Sequence, residues 1–186
     1  ERIGRLACEL ANKRRKLLTI VHKANILPET CGLFRDAVRR VAAGFPNLAV
    51  EEVLVDTMAL RLLRDPEHFD VVVTTNLFGD ILSDEAAMLV GGLGLAPAGN
   101  IGERLAIFEP VHGSAPDIAG KGIANPLAAI LSAAMLLDHF DMHNEGNNMR
   151  SAVRSCLKAG ILPPDLGGTQ GTAEVAESVC EQIRKG

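Results

Sequence analysis

Asp80 and Asp84 stand four residues apart in the segment Asn76-Leu77-Phe78-Gly79-Asp80-Ile81-Leu82-Ser83-Asp84-Glu85. On a helix this spacing turns both carboxylates to one side, where they can share a cation or form an ordinary solvated face. A third acid, Asp56, closes the apolar run Val53-Leu54-Val55, at the kind of strand end where α/β proteins collect functional residues. Three carboxylates without a Cys or His partner suit a hard cation, Mg²⁺ or Mn²⁺, and not zinc. Lys23 ends another apolar run, Leu17 to His22. It reads either as a surface charge or, facing a metal-bound hydroxyl, as a proton carrier.

The segment from Glu109 to Pro126 gathers Gly, Pro and small residues around His112, Asp117 and Asn125. That composition suits a backbone lying close against a ligand, and equally a compact Ω-loop. Two phosphate-binding motifs are excluded. Gly120-Lys121-Gly122 lacks the Ser or Thr and the glycine spacing of a P-loop, and Gly92-Leu93-Gly94 lacks the third glycine of a dinucleotide fingerprint. Ser114 with His112 and Asp117 makes a poor nucleophile relay, because the three are too close in sequence and no G-x-S-x-G surrounds the serine.

The elements that must position these groups alternate in type. Helical apolar spacing covers Arg2 to Arg14, Leu33 to Ala43 and Met58 to Arg64, the last stopped near Pro66. β-Branched runs at Leu17 to His22, Val50 to Val55 and Phe69 to Thr74 read as strands, and the acidic pair rides on the helix that follows. The glycine-rich stretch Gly91 to Gly102 reads as an irregular crossing between two lobes. After it come a strand at Leu105 to Phe108 and helices at Leu127 to Leu137, Met149 to Lys158 and Ala173 to Ile183. Strands alternating with helices give an α/β fold class.

Composition is that of a globular protein: 186 residues, 47% hydrophobic and 23% charged. A formal net charge of -4 gives no electrostatic reason for nucleic-acid binding, and the short run Lys13-Arg14-Arg15-Lys16 reads as a solvated helix end. The longest apolar run, Ala128 to Leu137, is interrupted by Ser132 and is too short to span a membrane. Cys8, Cys31, Cys156 and Cys180 form no C-x-x-C pair, so reduced thiols and a cytoplasmic location are expected. No signal peptide is present, although a chain opening at Glu1 says little about what precedes it.

With these residues in place, the chain resembles the metal-dependent β-decarboxylating dehydrogenases that act on isocitrate, homoisocitrate, 3-isopropylmalate and tartrate. The resemblance runs over the whole length and rests on His22-Lys23-Ala24-Asn25, Val55-Asp56, Asn76 to Asp84, Gly91 to Gly102, Glu109 to Pro126 and Asp165-Leu166-Gly167-Gly168. It implies an isopropylmalate-dehydrogenase-like two-lobed α/β sandwich whose N-terminal half is missing here. Residues 1–90 would form part of the smaller dimerisation and metal-site lobe, and residues 91–186 the C-terminal part of the larger cofactor-binding lobe.

The same resemblance implies roles. Asp56, Asp80 and Asp84 match the metal carboxylates, and Lys23 the proton-transfer lysine. Lys23 and Asp56 would reach the site of a neighbouring subunit, which implies a homodimer with shared active sites. Glu109, His112, Gly113, Ser114, Ala115, Pro116, Asp117, Ile118, Asn125 and Asp165 match the cofactor-binding positions. A carboxylate at Asp117 accepts hydrogen bonds from free ribose hydroxyls and repels a 2′-phosphate, so NAD is expected over NADP. The chain contains no Tyr, which the family uses as its acid. The substrate-clamping arginines also belong to the half before Glu1, so this polypeptide alone is expected to catalyse little. His22-Lys23-Ala24-Asn25 and Gly99-Asn100-Ile101-Gly102 favour isocitrate or homoisocitrate as the hydroxy-carboxylate substrate. A 3-isopropylmalate dehydrogenase and a non-catalytic regulatory subunit are the alternatives, the latter disfavoured because all three aspartates are present.

Overall fold

Five of the six residues of Leu17–His22 (β1) are buried, as a continuous apolar run predicts for a strand covered on both faces. In the computed structural model, which describes residues 1–185, β1 is the middle strand of a parallel sheet. Ala49–Leu54 (β2) lies on one side and Val71–Val73 (β3) on the other. The chain divides into two compact units between Ala86 and Ala87.

In the first unit, side chains alternate across β1. Leu18 and Ile20 pack with Ala7, Cys8 and Ala11 of α1 (Arg2–Asn12) and with Val38 and Ala42 of α2 (Thr30–Ala42). Val21 faces the opposite cluster, with Met58 and Leu62 of α3 (Val55–Arg64), Phe69, and Leu82 of α4 (Asn76–Leu89). Each fully buried Leu, Ile or Val contributes about 1.5–3 kcal/mol. Thr19, also fully buried, satisfies its hydroxyl by donating to Glu51 Oε1 at 2.8 Å, and His68 Nε2 lies 3.0 Å from the same oxygen.

The second unit opens with an antiparallel hairpin, Pro97–Ile101 (β4) paired with Ala106–Pro110 (β5). Against it packs α5 (Leu127–His139), whose Ser132 returns its hydroxyl to the Ala128 carbonyl at 2.8 Å. Helices α6 (His143–Lys158) and α7 (Thr172–Lys185) complete a core of Leu127, Ala152, Val153, Cys156, Val175 and Val179.

The structure departs from sequence expectation at three places. β2 ends at Leu54, so Asp56 lies in the first turn of α3 and not at a strand end, the position where a helix dipole favours a carboxylate. The glycine-rich stretch contains β4, because pairing with β5 stabilises a strand that its own composition disfavours. Helix α6 begins six residues before Met149, at His143. Its first turns are polar and lack apolar periodicity, but a Cβ on Gly146 would sit 3.0 Å from the Ala134 carbonyl, so bare backbone lets α6 close onto α5.

Asp70 anchors the start of β3 to the turn before β1. Its carboxylate, 1% exposed, accepts from Arg14 Nε and from the Arg15 backbone N–H, both at 2.8 Å. Burial pushes this carboxyl up, but the Arg14 and Arg15 hydrogen bonds and charges outweigh it and hold it below the usual carboxylate range. Asp70→Asn is expected to cost about 1–3 kcal/mol in urea unfolding at neutral pH. A depressed folded value contributes stability above the unfolded carboxylate pKa of about 3.9 and loses it as pH falls through the folded value. The wild-type and variant midpoints should therefore converge in acid; a gap independent of pH would refute the ion-pair account.

Candidate active site

At the exit of β1, the Lys23 ammonium reaches Asp56 in the first turn of α3, with Nζ 2.5 Å from Oδ1. Hydrogen bonding from Lys23 holds the exposed Asp56 carboxyl below its ordinary range. The backbone of Lys23 is pinned as well, since its carbonyl accepts from the N–H groups of Ile26 and Leu27 at 3.0 and 2.9 Å. Asp80 and Asp84 both lie on α4, exposed, and among the described residues neither has a cationic partner within salt-bridge distance. They share their helix face with Leu77 and Ile81, which are 65% and 58% exposed.

No group of three or more His, Cys, Asp or Glu among the described residues is placed to hold a metal ion. The three aspartates therefore do not converge within one chain: Asp56 is occupied by Lys23, while Asp80 and Asp84 present free oxygens. Two unpaired carboxylates one turn apart fit a hard divalent cation, but as part of a coordination shell only.

In the second unit, Glu109 on β5 accepts from Asn100 Nδ2 on β4 at 2.9 Å. Beyond β5 the loop is exposed from Val111 to Asp117. His112 Nδ1 lies 2.9 Å from the Gly113 carbonyl, to which it donates. Ala115 takes the left-handed conformation, φ 43°, and turns the chain into a short 3-10 turn, Pro116–Ile118, that carries Asp117. A Cβ on Gly113 would meet nothing within 4 Å and its φ is not positive, so neither packing nor backbone conformation within the chain requires glycine there.

The loop closes on a fixed amide. Asn125 Oδ1 accepts the Leu127 N–H at 2.9 Å, which sets the amide orientation and points Nδ2 at Asp165 Oδ2, 3.0 Å away. Gly94 lies directly beside this pair. Thr172 at the start of α7 fastens the same loop, donating from Oγ1 to the Ala124 carbonyl and from its N–H to the Gly122 carbonyl.

Residues 1–179 match the isocitrate/isopropylmalate dehydrogenase family. The chain belongs to that family. It is 58% identical over 185 residues to an isocitrate/homoisocitrate dehydrogenase of Thermus thermophilus, covering 99% of this chain and 55% of that protein. A 3-isopropylmalate dehydrogenase of Archaeoglobus fulgidus is 55% identical, covering 98% of this chain and 56% of the relative. A homoisocitrate dehydrogenase of Methanocaldococcus jannaschii is 53% identical, covering 100% and 53%. The crystal structure of isocitrate dehydrogenase from Methylococcus capsulatus superposes with a TM-score of 0.94 at 48% identity, over 98% of this chain and 55% of that one. The chain thus spans about half the length of the curated relatives it matches, and its α/β fold is that of the isocitrate/isopropylmalate dehydrogenases.

Within this family frame, sequence reasoning overlooked Thr172 and Glu174, and took Gly94 only as part of the glycine-rich stretch. Glu174 accepts the Gly171 N–H at 2.8 Å, half of a capping box, and the Gly171-Thr172-Ala173-Glu174 spacing was the available signal. Nothing local signalled that Gly94 lies against Asn125 and Asp165. A Cβ there would fall 2.4 Å from Asp165 Oδ2 and 2.9 Å from Asn125 Cβ. Gly94→Ala is accordingly expected to part the Asn125–Asp165 pair and cost about 1–3 kcal/mol. Thermal unfolding and the Leu127 amide resonance check this; a spectrum unchanged around Asn125 would count against it.

Proposed function

We propose that this chain is part of an NAD-dependent, metal-dependent dehydrogenase that oxidatively decarboxylates a 2-hydroxy acid bearing a neighbouring carboxylate, with isocitrate or homoisocitrate as substrate. The carrying observation is the exposed face of α4, where Asp80 and Asp84 stand free of cations beside uncovered Leu77 and Ile81. Leu60 and Leu63 on α3 are uncovered as well, 71% and 64% exposed. Apolar area of this kind is what a subunit interface removes from water. A second copy seated on this face would cover it, and in the shared-site arrangement that the family resemblance implies it would also bring its own Lys23 and Asp56 to the Asp80–Asp84 pair.

Asp80 and Asp84, completed by Asp56 of the second copy, would hold Mg²⁺ or Mn²⁺. A cation held there would supply Lewis-acid polarisation of the substrate C–O bond and stabilisation of charge that develops beside it. Lys23 would carry away the proton lost from the substrate hydroxyl, and a bound nicotinamide would supply the hydride acceptor. Residues His112 to Ile118, with Asn125 and Asp165, would seat the adenosine end, and Asp117 would accept from the ribose hydroxyls. Residues 1–90 would then belong to the smaller lobe and residues 91–186 to the cofactor lobe. No helix among the described residues is long and apolar enough to cross a membrane; a cytoplasmic location is part of the proposal. The 55% identity to a 3-isopropylmalate dehydrogenase supports that substrate as the second reading.

Two experiments test the proposal. Calorimetric titration should show NAD binding more tightly than NADP, and Asp117→Ser should narrow the preference by about tenfold; equal affinity in both proteins would sink the cofactor assignment. Leu60→Glu combined with Leu63→Glu should convert a dimer to a monomer in sedimentation velocity and weaken Mn²⁺ binding, although every carboxylate ligand remains. Undiminished Mn²⁺ affinity in that monomer would show that the site is not shared.

A further inference from the structure

His22 is 5% exposed, the last residue of β1, and is bonded at both ring nitrogens. Nδ1 lies 3.1 Å from the backbone nitrogen of Ala24, which can only donate. Nδ1 therefore carries the lone pair, and in the neutral ring Nε2 carries the hydrogen. Nε2 faces Glu52 Oε2 on β2 at 3.3 Å, and the other oxygen of Glu52 accepts from Arg39 Nε on α2 at 2.8 Å. Lys23 sits between His22 and Ala24, the residue whose N–H the His22 ring accepts.

We propose that His22 is a positioning residue: its Nε2–H imidazole, held by Glu52, clamps the Ala24 N–H and so aims the Lys23 ammonium at Asp56. The clamp reproduces an Asx-turn, in which a side-chain acceptor takes the N–H two residues on. An Asn side chain offers the same acceptor from the same position, whereas Leu fills the volume and offers none. Doubly protonated imidazole also cannot serve, because its Nδ1–H would oppose the Ala24 N–H. The inference rests on reading Lys23 as the proton carrier, but its geometry is measurable without turnover.

The test uses this chain labelled with ¹⁵N. The His22 ring should show a protonated Nε2 and a bare Nδ1; the opposite tautomer in the unsubstituted protein overturns the proposal whatever the variants do. In His22→Leu the Ala24 amide should exchange about fivefold faster, the factor expected from one lost hydrogen bond. Acetylation of Lys23, read by mass spectrometry against Lys13 in the same molecule, should rise about two- to fivefold as its pairing with Asp56 loosens. His22→Asn should restore both values to within about twofold of the original protein. Unchanged Ala24 exchange and Lys23 reactivity in a folded His22→Leu protein overturn the proposal, as does a His22→Asn protein that fails to rescue them. Should His22→Leu not fold, the tautomer and His22→Asn decide. If these geometric results hold while NAD binding is absent, the clamp stands and the dehydrogenase reading falls.

Discussion

Burial of β1 on both faces and along both edges is the constraint from which the first unit follows. Leu18, Ile20 and Val21 are fully excluded from water, with β2 paired on one side and β3 on the other. Such a strand has no freedom to slide, because a one-residue slip would exchange its two packed faces. The point where it leaves the sheet is therefore fixed, and Lys23 is the first residue beyond that point. Val55 occupies the corresponding place after β2, since His22 pairs with Leu54 in the ladder, and Asp56 follows it in the first turn of α3. The Lys23–Asp56 contact is a consequence of strand register before it is anything chemical.

Polar groups placed against this rigid core are satisfied in chains. Thr19, Glu51 and His68 form one such chain, and Ala24, His22, Glu52 and Arg39 another. No buried side-chain nitrogen or oxygen among the described residues is left without a partner. By contrast, Asp80 and Asp84 stand on α4 without a cation, and hydrophobic side chains beside them remain in water. A chain that satisfies its interior so fully leaves its uncovered apolar face and unpaired carboxylates as the features turned to solvent.

The second unit achieves placement by a different device. Its loop of small residues has little side chain with which to hold itself, so it is fastened from outside: Asn125 by the Leu127 N–H and Asp165, and the Gly122 to Ala124 backbone by Thr172. Glycine serves two distinct purposes there. Gly120 and Gly122 supply positive φ, while Gly94 leaves room for the Asn125–Asp165 pair.

The segments around Asp80 and around His112 announce themselves by residue type and spacing, and the alternating helices and strands were legible for the same reason: each signal is local and periodic. Residue identity alone thus determined the α/β class, the family resemblance, and the roster of acids, lysine and loop residues. Tertiary structure decided what no local pattern encodes. It placed Asp56 on a helix turn and paired it with Lys23, 33 positions away. It also made a strand of Pro97–Ile101, started α6 at a polar turn beneath Gly146, and joined His22 to a glutamate 30 positions on. These outcomes depend on which surfaces meet once the chain is compact, and contacts between distant residues leave no periodicity in the sequence that produces them.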